Sequence, residues 1–119
     1  MSSTATKRFR LSASDVRPLA ERRGAGIASD HIMVDGKPVG FMYREAPDDP
    51  HDSGWRFLSG AESQEYMDQS DNFAMYDVNT IANYDPSIVE YLDAPVGSAF
   101  GRNEHVDFVE EDMPDRMDA

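Results

Sequence analysis

The chain has 119 residues, 29% of them charged and 39% hydrophobic, which fits one globular domain and excludes fibrous and collagen-like architectures. Its 23 acidic residues against 11 lysines and arginines give a formal charge of -12, so most of the surface repels a polyanion and nucleic acid is not an expected partner. The absence of cysteine rules out disulfides, thiolate nucleophiles, iron–sulfur clusters and cysteine-bound zinc, and it fits the cytoplasm.

Residues 1–24 carry a local charge of +4, leaving -16 on the remainder. This segment is rich in Ser, Thr and Ala, lacks the apolar stretch of a signal peptide, and reads as a flexible basic arm. No apolar run in the chain approaches the roughly 20 residues of a membrane span, so no membrane partner is expected. Residues 25–103 carry the signals of a compact α+β domain. Two apolar runs, 27–34 and 39–44, flank Asp35 and Gly36, a pair favoured in tight turns, and this predicts an antiparallel hairpin. Alternation in the second run puts Val39, Phe41 and Tyr43 on the core face.

Residues 45–53 hold two prolines and three aspartates, a composition for an exposed acidic loop. A third strand follows at 55–58, with Trp55 and Phe57 on one side. Ser59 and Glu62 have the spacing of a reciprocal helix cap, predicting a short helix to about Gln69. Residues 73–78 read as a fourth strand. Asp85 and Pro86 start a helix, because Asp caps well and Pro tolerates the first helical position. Pro95 stops it, and residues 97–101 give a last strand. Residues 104–119 hold seven acids and one arginine and read as a flexible acidic tail. The expected fold is a single α+β domain, a twisted antiparallel sheet of about five short strands with two or three short helices on one face.

Candidate chemistry is sparse. Asp48, Asp49, His51 and Asp52 crowd one loop with oxygen and nitrogen donors, yet their spacing fits no dedicated metal loop. No pair of histidines has helical zinc spacing, no serine sits in a nucleophile elbow, and no glycine pattern cradles phosphate. No catalytic residue, metal or cofactor is therefore expected. Asp77, Asn79 and Asn83 form a polar run that suits either caps or a partner-facing edge. Trp55 suits either a core anchor or a binding hot spot.

Several runs together resemble one family. They are residues 27–30, Val39 to Glu45 (VGFMYRE), Asp52 to Phe57 (DSGWRF) with Ser59 and Gly60, then Tyr76 to Pro86 (YDVNTIANYDP) and Tyr91 to Phe100 (YLDAPVGSAF). In this order they are similar to the immunity-protein-33-like domain, also called domain of unknown function 2185. The resemblance implies a bacterial protein without catalytic residues that neutralises a toxin by binding it. Under that reading the partner is a protein, a basic bacterial toxin, met by Asp48, Asp49, Asp52, Trp55, Asp77, Asn79 and Asn83. The alternative is a small ligand- or metal-binding domain, or an enzyme, with a polar cleft near Asp52, Asp77 and Asn79.

Overall fold

The computed structural model describes residues 8–102 and 107–113. Six strands build one sheet: β1 (Ala25–Ser29), β2 (Phe41–Arg44), β3 (Asp52–Leu58), β4 (Phe73–Asp77), β5 (Ala99–Arg102) and β6 (Phe108–Glu110). Their spatial order is β4-β1-β3-β2-β5-β6. Only β1 and β3 run parallel; the other neighbours are antiparallel. Three short helices, α1 (Asp30–Met33), α2 (Gln64–Met67) and α3 (Val78–Tyr84), join a 3-10 helix at Pro86–Tyr91. This is the expected single α+β domain, with six strands instead of about five.

The predicted hairpin does not form. Residues 27–29 belong to β1, which pairs with β3 and β4, and the chain then turns into α1. Gly36 does adopt the positive φ that its sequence signals, 77°. That conformation ends a helix here: Gly36 N–H donates to Ile32 O at 3.1 Å and Lys37 N–H to His31 O at 2.9 Å. A left-handed glycine serves a hairpin and a helix end equally well. Ile32 and Met33 decide between them, because both are buried, and neighbours in a strand would face opposite ways.

The core face of β2 is also the reverse of expectation. Met42 is fully buried, while Phe41 and Tyr43 lie half-buried on the opposite side. Val39 reaches the core from outside the ladder, its N–H held by Asp85 Oδ2 at 2.8 Å. The alternation therefore shifts phase at Gly40. On the core side Trp55 and Phe57 stack with ring centres 6.1 Å apart. Ile32 and Met33 of α1, Val78, Ile81 and Ala82 of α3, and Ile88 of the 3-10 helix close over them. Trp55 Nε1 donates to Leu92 O at 3.1 Å, so burial leaves its one polar atom satisfied.

Parts of both end segments pack against the domain. Within the acidic segment, Phe108 is buried, pairs with Arg102 across β5 and β6, and sits edge-on to Tyr91 at 5.2 Å. One aromatic residue with a core socket outweighs the surrounding acids; residues 104–106 and 114–119 of the segment lie outside the described residues. In the arm, Leu11 N–H donates to Tyr84 Oη at 2.9 Å, and Ala20 is buried. Residues 1–7 of the arm lie outside the described residues.

Candidate functional site

α1, α3 and the 3-10 helix cover one face of the sheet and leave the other partly open. Ile27, Tyr43, Leu58, Phe73 and Met75 project from that open side, and Met67 of α2 overhangs it. Between them lies a cavity of about 450 Å³. Met67 and Met75 remain 38% and 46% exposed, which leaves flexible apolar side chains at its mouth.

Arg56 sits in the floor of this cavity with its side chain only 6% exposed. Its position follows from strand alternation: Trp55 and Phe57 turn to the core, so Arg56 must emerge on the open face. Asp52 Oδ1 and Oδ2 each accept from it at 2.9 Å, and Glu45 Oε2 accepts from Nε at 2.7 Å. Asp52, with no exposed side-chain surface, also accepts the N–H of Asp48 at 3.0 Å and of Gly54 at 2.9 Å. The hydrogen bond from Arg56 holds the Asp52 carboxyl far below the usual carboxylate range, against the opposing effect of burial. The same bond pushes the Arg56 guanidinium above its ordinary value. Within this triad of Arg56, Asp52 and Glu45, the Arg56–Asp52 pair is thus locked as ions, suited to bracing the strand and the loop above it and not to moving protons.

A second clamp lies where β1 ends. Burial pushes Glu62 up, but hydrogen bonds from Ser29 Oγ at 2.6 Å and Ser59 N–H at 2.8 Å, among others, bring it below its usual value. The reach of Glu62 back to Ser59 is the half of the predicted cap that forms. The other half belongs to Ser63, whose Oγ accepts Tyr66 N–H at 3.1 Å, so the helix starts at Gln64 and stops at Met67.

The residues singled out from the sequence fall into separate places. Asp48 and Asp49 are exposed on the loop, with Asp49 Oδ1 accepting the N–H groups of His51 and Asp52. Asp52 belongs to the triad and Trp55 to the core. Asp77 caps α3 by accepting Asn79 N–H at 2.8 Å. Asn79 and Asn83, one turn apart, grip the arm. Asn79 Oδ1 accepts from Leu19 and Ala20 N–H, both at 2.7 Å, and Asn83 exchanges two bonds with the main chain of Arg17, at 2.8 and 2.7 Å. The polar cleft of the alternative reading is divided, since Asp52 lines one depression and Asp77 with Asn79 another.

Sequence reasoning passed over Glu45, Arg56, Met67 and Met75. A signal was present: from Phe57 through Gly101 there are eight acids and no Lys, Arg or His. That stretch supplies α2 and β4, so the wall of the open-face cavity on their side carries no basic residue. Among the described residues no cluster of three potential metal ligands occurs, and no helix is long and apolar enough to cross a membrane.

No curated protein and no solved structure matches the chain. The Immunity protein Imm33 domain matches residues 26–112, which spans the sheet from β1 to β6 and leaves only the arm and the last residues outside. On that match, covering well over half its length, the chain belongs to the Imm33 immunity-protein family.

Proposed function

We propose that this protein neutralises a basic protein toxin by direct, non-catalytic complex formation. The observation that carries the reading is the Imm33 domain match over residues 26–112. Charge gives the partner its character: a -12 chain whose acids crowd the loop at Asp48 and Asp49 and the helix at Glu65 and Asp68 attracts a positive surface and repels a negative one. The open sheet face offers the apolar centre that a stable interface needs, with methionines able to repack against a partner and acids around it. The loop and the face form one continuous surface, because Glu45 both lines the cavity and opens the loop.

The test uses a basic toxin sought among the products of neighbouring genes, purified and measured by surface plasmon resonance over a salt series. Replacing Asp48 and Glu65 by Lys should lower its association rate about tenfold at low salt, with the gap closing as salt rises. Thermal stability should hold, since exposed charges contribute within about 0.5 kcal/mol. An unchanged association rate at every salt concentration would remove the acidic face from the interface.

A further inference from the structure

Away from the open face, the end of the arm, the acidic loop and the turn after Leu92 enclose a polar cavity of about 420 Å³. Arg22, Arg23, Arg44 and His51 line it. In a chain of 11 lysines and arginines, the meeting of three arginines at one depression runs against the overall charge. The carboxylates beside them are engaged: Asp52 gives both oxygens to Arg56, and Asp93 pairs with Arg23 Nη1 at the rim.

Three features of these arginines point the same way. Arg44 donates to two neutral acceptors, Ser53 O at 2.9 Å and Ala94 O at 2.7 Å, and makes no ion pair among the described residues, so its orientation is fixed while its charge is not neutralised. Arg23 Nε is buried and has no acceptor among the described residues. A buried donor without an acceptor is rare in a folded protein and calls for a missing partner. Arg22 holds φ at 67°, the one non-glycine positive φ among the described residues, a strained conformation of the kind that collects at binding sites.

We propose that this cavity binds a phosphate group, free or carried by a small phosphomonoester. One guanidinium fork satisfies a planar carboxylate, whereas cations arriving from separate segments suit a tetrahedral anion with acceptor oxygens on several sides. The volume exceeds that of the bare ion and leaves room for an organic group. The acidic loop borders both this cavity and the toxin-binding surface, but the arginines do not belong to that surface, and the proposal stands whether or not a toxin partner exists.

Isothermal titration of the full chain with sodium phosphate, ionic strength held constant with sodium chloride, tests the assignment. The wild type should bind phosphate. Arg22→Gly relaxes the strained φ and should melt no lower than the wild type, yet raise the phosphate Kd about tenfold, the loss of one charge-assisted hydrogen bond. Arg44→Gln should weaken binding at least as much. Adenosine 5′-monophosphate displacing phosphate at lower concentration assigns a phosphomonoester, and displacement only at higher concentration assigns the free ion. Three results overturn the proposal: no binding by the wild type, Arg22→Gly binding as tightly as wild type, or acetate binding as tightly as phosphate.

Discussion

Replacing Arg56 by Met keeps the apolar stem in the sheet and removes the charge that two carboxylates share. Asp52 then stays behind with no exposed side-chain surface, while Glu45, 18% exposed, still reaches water. Breaking a buried ion pair from one side costs about 3–5 kcal/mol, because an uncompensated charge remains. The N–H groups of Asp48 and Gly54 still serve Asp52, which places the loss near the lower end, about 3 kcal/mol. For a domain of this size that corresponds to a fall in melting temperature of roughly 12–24 °C. The pH dependence gives a second readout. In the wild type the folded Asp52 titrates below its unfolded value, so its stabilisation is present above about pH 4 and lost as pH falls through the folded value. In the variant the arginine no longer lowers Asp52, and burial favours its protonated form, so acid relieves the buried charge. Urea unfolding followed by the single, buried Trp55 should therefore show a large deficit at neutral pH that narrows in acid, as Asp52 of the variant takes up its proton. A loss under about 1 kcal/mol at neutral pH, the worth of an exposed pair, would refute the argument. So would a deficit that is constant with pH.

Asn79→Ala combined with Asn83→Ala should release the arm, with faster tryptic cleavage after Arg22 or Arg23 and a stability loss of about 2–3 kcal/mol. Cleavage at the wild-type rate would mean the arm is held by other contacts. Gly54→Ala should lower the urea midpoint by the equivalent of more than about 1 kcal/mol, since φ there is 90° and a Cβ would run into the Glu45 carbonyl oxygen. An unchanged midpoint would show that the loop shifts freely.

Elements announced by local chemistry were legible in the sequence. β4 lies where the sequence placed it, β3 holds its expected 55–58 but begins at Asp52, inside the expected exposed loop, where Asp52 and Ser53 are buried, and Asp85 with Pro86 opens its helix as a cap and first residue should. The failures share one cause, which is that a local signal has more than one tertiary use. Gly36 ends a helix with the geometry that would have closed a hairpin. Met42, not Phe41 or Tyr43, faces the core because Gly40 interrupts the strand period, and alternation does not reveal where its phase slips. The triad was hidden for a similar reason, as the link from Arg56 to Glu45 depends on how the loop folds back. Asp48 and Asp49 could be read as exposed from composition alone. The roles of Asn79 and Asn83 could not, because their partners lie some 60 residues away in sequence, beyond any local pattern.

The position of β1 between β3 and β4 bears on how the protein is made. β1 is synthesised first among the strands, yet its parallel partner reaches to Leu58 and its antiparallel partner to Asp77. Neither can dock until it has left the ribosome, and the polar arm ahead of β1 waits longer still for its grips on α3. The strand with the fewest large side chains, Ala-Gly-Ile-Ala-Ser, is the one that waits longest for a first partner. A sequence that poor in bulky apolar residues is a weak template for aggregation, so the small residues that let β1 fit the middle of the sheet also protect the nascent chain while it waits.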